Sequence, residues 1–354
     1  MLVLLLQGCA LGYYWQAASG HLDVMRRAQP IDRLLEAPGT DETLAERLRT
    51  VREVRRFAVD ELGLPDNASY TRYADLQRSA VVYNVVAVPE FSLEPRQWCF
   101  PVAGCVPYRG YFSRERADTK AGALLAHGYD THVGGVTAYS TLGRFNDPVL
   151  NTMLDRGVTA TAAVIFHELA HQQLYVADDA SFNEAYAVAV EQHGTRRWLA
   201  SRGDTAALTA YEQLLSRQEA LTDLIRAQRE RLEALYASSL PPAQMRARKA
   251  EAFAQMRDDY VRTRAGWDDG PHFDGWFNRP LNNSHLLAVA TYRDLVPGFE
   301  ALLARSGDIV HFHEAARELA DKPVGERHAR LHALAAKRDG SARSGAPARA
   351  LAED

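Results

Sequence analysis

Charge of one sign, long apolar runs and cysteine are all scarce in this chain, and each shortage closes off a class of function. Its 41 basic and 45 acidic side chains leave a formal charge of −4 over 354 residues, so no long-range positive field exists to hold nucleic acid. After the first few residues no stretch approaches the roughly 18 apolar residues of a spanning helix. A core is not lacking, since 47% of the residues are hydrophobic, enough at this length for one elaborated domain or two.

The apolar run Met1 to Leu6 leads into Gln7-Gly8-Cys9-Ala10. No Lys or Arg precedes Cys9 and the run is short for a secretory leader, yet its end resembles a bacterial lipobox, in which the cysteine is lipidated and becomes the mature N-terminus. An ordinary helix end or strand is the alternative. Cys99 and Cys105 are the other two cysteines, and Pro101 and Gly104 between them favour a turn that brings the sulfurs together. An exported protein would pair these two and lipidate Cys9. Three reduced thiols remain the competing reading; a metal site at Cys99 and Cys105 lacks the second Cys or His pair that zinc spacing requires.

Residues from about His21 to Leu64 read as helices, with Thr40-Asp41-Glu42 as a start signal and Gly63 and Pro65 as the stop. Ala80 to Pro89 is β-branched and bounded by turn formers, so it reads as a buried strand; Thr131 to Thr141, interrupted by Gly134 and Gly135, reads as a second. From Thr159 the pattern is helical for about a hundred residues. Ser238-Ser239-Leu240-Pro241-Pro242 breaks it, which implies an antiparallel helical hairpin over about 205–262 that acts as a packing arm or a lid. Residues 337–354 lack periodicity and read as a disordered tail, leaving 10–336 as a single domain behind a leader remnant at 1–9.

One motif carries chemistry: His167-Glu168-Leu169-Ala170-His171, inside the apolar helical pattern of Ala160, Ala163, Val164, Phe166 and Leu169. Four residues make slightly more than one helical turn, so both imidazoles leave the same face and can bind one metal ion. Glu168 sits one step round, placed to act as the base on a water rather than as a ligand. This is the H-E-x-x-H pattern of zincins; two surface histidines flanking a solvated Glu is the bland alternative. The longer H-E-x-x-H-x-x-G-x-x-H form is absent, because Leu174 and Ala177 stand where its Gly and third His would be. A downstream carboxylate must serve instead. Glu184 and Glu191, seven apart on one helix face, are both offered, and only one can reach the ion. Glu184 is the first choice, although Ser181 to Glu184 also fits a capping box.

Asn183-Glu184-Ala185 resembles the element that supplies the zinc-binding Glu of thermolysin-like peptidases and Glu-ligand aminopeptidases. Nearly the whole chain resembles a bacterial lipoprotein family of predicted aminopeptidases. The resemblance lies in the Cys9-Ala10-Leu11-Gly12-Tyr13-Tyr14 start, Cys99-Phe100-Pro101, Cys105-Val106-Pro107-Tyr108-Arg109-Gly110-Tyr111-Phe112, Gly134-Gly135-Val136, Ala138-Tyr139-Ser140-Thr141-Leu142-Gly143, the His167 motif, Phe182-Asn183-Glu184 and Leu281-Asn282-Asn283. It implies an α+β, mostly helical zincin-like metallopeptidase core with a small sheet from about 80–141. The expected cofactor is Zn²⁺ held by His167, His171 and Glu184, with Glu168 as general base and a peptide or protein as substrate. A lipid anchor at Cys9 would place the protein in the cell envelope facing the periplasm, and Ala10 is compatible with the outer membrane. Tyr139, Tyr292 and His285 are neighbourhood candidates for an oxyanion donor, and the Gly134-Gly135 strand for substrate pairing. A lipid-anchored binding or assembly protein with a structural or inactive zinc, and a zinc hydrolase acting on another amide, are the competing functions.

Overall fold

The computed structural model of the protein describes residues 5–100, 104–138, 141–267, 272–290 and 294–344. Helix α1 (Leu5–Arg27) sets Arg26 and Arg27 at the negative end of its dipole. Strand β1 (Gln29–Pro30) and α2 (Ile31–Glu36) lead to α3 (Glu42–Asp60). Asp41 caps α3 by accepting the Leu44 N–H at 3.1 Å, as the start signal implies. Ala45, Leu48, Val51, Val54 and Ala58 recur every three to four residues as its buried stripe. Gly63, at φ 61°, turns the chain away in a conformation that favours glycine.

Strands β2 (Arg72–Ala74), β3 (Val82–Pro89), β4 (Trp98–Phe100), β5 (Gly104–Val106) and β6 (Tyr108–Tyr111) follow, then α4 (Arg114–Leu125), β7 (Tyr129–Val136), β8 (Val149–Leu150) and α5 (Asn151–Leu154). The main sheet is antiparallel in the order β6-β3-β7, and β1-β2-β8 form a smaller one. Flanked on both sides, β3 buries Val85, Ala87 and Val88, and α4 covers one face with Ala117, Ala121 and Leu124. The second strand lies earlier than its sequence pattern implies: pairing stops at Val136, opposite Val82 where β3 begins, and the Thr137 carbonyl accepts the Thr152 hydroxyl at 2.6 Å. Cys99 and Cys105 face each other across β4 and β5 and form a disulfide.

The helical half begins with α6 (Val158–Gln173) and α7 (Ala180–Ser201), packed side by side in the largest apolar core with α3. Helices α8 (Thr205–Tyr236) and α9 (Pro242–Arg264) form the hairpin around a second core that includes Ile225, Leu232, Phe253 and Met256. Then come α10 (Asp274–Phe277), α11 (Asn283–Ala290), α12 (Val296–Ser306), α13 (Ile309–Ala320) and α14 (Val324–Ser344). Asn282 and Asn283 fasten the hairpin to the sheet: Asn282 donates to the Thr131 carbonyl at 3.1 Å and Asn283 to the Ser92 carbonyl at 2.8 Å, while Tyr236 donates to Asn283 at 2.8 Å. Helix α14, docked at its start through buried Arg327 and Leu331, runs past Lys337, the expected start of the tail, to Ser344; residues 345–354 lie outside the described residues. The architecture is mostly helical with small sheets, an α+β arrangement. No described helix is long and apolar enough to cross a membrane.

Candidate metal centre

Helix α6 is held in the core by Ile165, Phe166, Leu169 and Ala170, all fully or almost fully buried. Anchoring that face fixes the direction of the other, from which His167 and His171 project. The helix ends at Gln173, Asp178 adopts a left-handed φ of 62°, and Asp179 starts α7 by accepting the Phe182 N–H at 3.1 Å. Asp179 is buried and also accepts Arg327 Nε at 2.6 Å and His328 Nε2 at 2.9 Å, which ties this turn to α14. Asn183 closes the same turn. Its Oδ1 accepts the Val176 N–H at 2.8 Å and its Nδ2 donates to the Val176 carbonyl at 2.7 Å, with the side chain 2% exposed. The capping-box reading of Ser181 and Glu184 is thereby set aside: Asp179 is the cap, and Glu184 turns to the histidines.

Donor atoms of His167, His171 and Glu184 lie within 4.8 Å of one another. His167 Nε2 is 3.1 Å from His171 Nε2 and 3.5 Å from Glu184 Oε2, and His171 Nε2 is 3.6 Å from Glu184 Oε1. Glu191 does not join them. Two turns further along α7, its Oε2 accepts His167 Nδ1–H at 2.9 Å, a hydrogen bond that holds the ring with Nε2 toward the cluster.

The electrostatics follow from crowding carboxylates around imidazoles. Burial alone would discharge His167, but hydrogen bonds that it donates to Glu184 and Glu191, with the Glu191 and Glu168 charges, outweigh it and raise its pKa well above the ordinary histidine value. Burial and the neighbouring His167 push His171 down to about 4, which keeps it neutral with its lone pair available. Burial pushes the Glu184 carboxyl up, but the His167 hydrogen bond and the two neighbouring imidazoles hold it below its usual range. Glu168 goes the other way. Burial raises it to about 7, against the opposing pull of His167.

These donors suit zinc. Two imidazole nitrogens and a carboxylate are its usual protein ligands, and ligand atoms sharing a tetrahedral Zn²⁺ through bonds of about 2.0–2.2 Å lie about 3.3–3.6 Å apart, close to the separations here. His171 Nδ1 is buried without a hydrogen-bond partner in the structure, so its ring is oriented by packing rather than by a second carboxylate.

The structure does not bring His285 into this cluster. It is buried on α11, accepts the Asn282 N–H at 3.2 Å and lies 4.3 Å from the His132 ring. Tyr139 and Tyr292 lie outside the described residues. Cys9 falls within α1. Sequence reasoning missed Asp147, 3% exposed, whose charge bears on Glu168, and Tyr108, whose phenol is pushed up by burial and then by the Glu184 charge. Neither has a local signal, because each arrives from a distant segment. A cavity of about 270 Å³ whose lining includes Arg52, Arg55, Asp32 and Asp66 contains none of these residues; Arg52 pairs there with Asp32 and Arg55 with Asp66.

A model of a family described as "Putative aminopeptidase" matches residues 12–331. The chain belongs to this family. The matched span holds the whole His167 cluster, Asp147 and Tyr108, so the family's defining region and the candidate centre coincide. No curated protein and no solved structure matches the chain. Membership makes a peptidase, and hence a hydrolase, the activity to seek.

Proposed function

We propose that the protein is a zinc-dependent peptidase, an aminopeptidase by its family's description, anchored in the cell envelope through lipid on Cys9. The reading is supported above all by three donor atoms converging on one point with the unligated Glu168 beside them. His167, His171 and Glu184 would hold the ion, and Glu191 keeps His167 in the tautomer that can bind. Zinc there supplies Lewis acidity, which acidifies water and polarises a carbonyl. Glu168 accepts the proton of the attacking water and returns it to the departing amine.

Metal analysis of the purified protein and mapping of cuts in a mixed peptide library test this together. One equivalent of zinc and removal of N-terminal residues are expected. Glu168→Gln keeps the shape but cannot take the proton, so zinc should stay while turnover falls about 100- to 10,000-fold. Bound zinc with no cleavage, and no effect of Glu168→Gln in the cell, would favour a binding or assembly protein instead. Intact-mass analysis of membrane-extracted protein should show an acyl mass at Cys9; an unlipidated product rejects the anchor.

A further inference from the structure

Glu184 is the most exposed of the three converging donors, with 36% of its side chain accessible against 19% for His167 and 8% for His171. It projects from the opening turns of α7, five residues past the cap at Asp179, or about 7.5 Å along the helix axis. The first N–H groups of a helix lack partners within it, so the direction in which these turns leave the α6–α7 link is set by whatever holds the cap. A metal site needs its donors placed to within about 0.5 Å, which makes the support of Asp179 a matter for the ion as well as for the fold.

That support is a buried charge from the far end of the chain. Arg327 donates through Nε to Asp179 Oδ2 at 2.6 Å, and through Nη1 to the Ala320 carbonyl at 2.9 Å and the Lys322 carbonyl at 3.0 Å. Its guanidinium also lies over the Phe182 ring, 5.5 Å from the centroid. One side chain therefore fixes the end of α13, the link into α14 and the first turn of α7 relative to one another. The platform beneath it is close-packed: Phe182 meets Phe299 of α12 edge-on at 5.0 Å, and at the neighbouring Gly298 a Cβ would come within 2.5 Å of the Leu331 carbonyl oxygen of α14. A buried ion pair adds little net stability over an apolar pair, because desolvation offsets the attraction. What this one supplies is direction, since both partners are fastened by further hydrogen bonds.

We propose that Arg327 is a positioning residue of the metal centre: through Asp179 it aims the first turns of α7 so that Glu184 meets the two histidines, and α14 thereby sets the affinity for the ion. The proposal rests on the zinc reading above. Arg327 touches neither ion nor substrate, and its whole effect passes through Glu184.

Zinc affinity of the full-length protein, read by competition against a chromophoric chelator, tests this. Arg327→Gln should bind zinc about 10- to 100-fold more weakly, the range for losing a partner that orients a metal ligand, and Arg327→Lys should recover part of the loss because its ammonium restores the charge without the fork. Asp179→Asn keeps a good cap but not the ion pair; it should lose affinity as Arg327→Gln does, and it carries the test if that variant does not fold. Arg330→Gln, which breaks an exposed pair with Glu326 on the same helix, should match the parent. A double-mutant cycle separates aiming from general loosening: in a Glu184→Ala background Arg327→Gln should change zinc affinity by less than about twofold, while denaturant unfolding shows the same loss of stability in both backgrounds. Parent-like zinc binding by folded Arg327→Gln or Asp179→Asn, or an equal loss of affinity with and without Glu184, refutes the role of Arg327 and leaves the zinc reading standing. A parent protein that binds no zinc sinks both.

Discussion

Replacing Glu191 by Ala tests the division of labour between the two carboxylates of α7. Its carboxylate accepts His167 Nδ1–H at 2.9 Å, with side chains only 25% and 19% exposed, so solvent cannot substitute for it cheaply. A charge-assisted bond of this kind contributes about 1.5–3 kcal/mol, or about 10- to 150-fold in an equilibrium constant. Orienting partners of metal-bound histidines are typically worth about 10- to 100-fold in affinity. Both routes give the same expectation: zinc binds Glu191→Ala about 10- to 100-fold more weakly but still with one equivalent at saturation. Glu191→Gln keeps an acceptor oxygen and should lose less. Glu184→Ala, lacking a ligand, should fail to hold zinc through a chelating column. Competition against a chromophoric chelator measures all three, with circular dichroism to confirm folding. Parent-like zinc affinity in Glu184→Ala together with empty Glu191→Ala would reverse the assignment.

Three further outcomes follow from buried contacts. Asn183→Ala strands the Val176 N–H and carbonyl in the α6–α7 turn, so denaturant unfolding should show a loss of about 2–4 kcal/mol along with weaker zinc binding; unchanged stability would refute the clamp. His313 accepts the Tyr186 hydroxyl at 2.7 Å and donates to the Leu62 carbonyl at 2.8 Å, and His313→Ala should cost a similar amount, measured the same way. Burial and the nearby His132 hold His285 down to about 4. Its unfolded value is about 6.5, so the unfolded chain binds the proton more readily; the stability this neutral ring contributes is full above about pH 6.5 and is lost as pH falls toward 4. The denaturation midpoint should therefore drop over that window and drop less in His285→Gln; equal slopes would reject the assignment.

Much of this was legible along the chain because it depends on near neighbours. The α3 cap at Asp41, the break between α8 and α9, the buried strand ending at Pro89 and the shared face of His167 and His171 each follow from spacings of a few residues. Two local rules misled. The Ser181 to Glu184 spacing fits a capping box, but Asp179 is stabilised as the cap by Arg327 and His328 from α14, a contact that no window around Glu184 contains. The β-rich pattern runs on to Thr141, but β7 ends at Val136, where its partner β3 begins, and β propensity does not reveal where a partner strand starts.

The sequence by itself determined that one helix presents two imidazoles and a carboxylate, and that a second helix offers two more carboxylates seven residues apart. Spacing left both open, since they share a face, and Glu184 came first only through its Asn-Glu-Ala setting; the docking of α7 against α6 brings Glu184 to the paired Nε2 atoms and leaves Glu191 behind His167. Tertiary structure likewise lets the Asp147 charge bear on Glu168, because a charge acts through space and the two are not neighbours along the chain. Periodicity specifies which way a side chain leaves its own helix; what it meets there is set by packing.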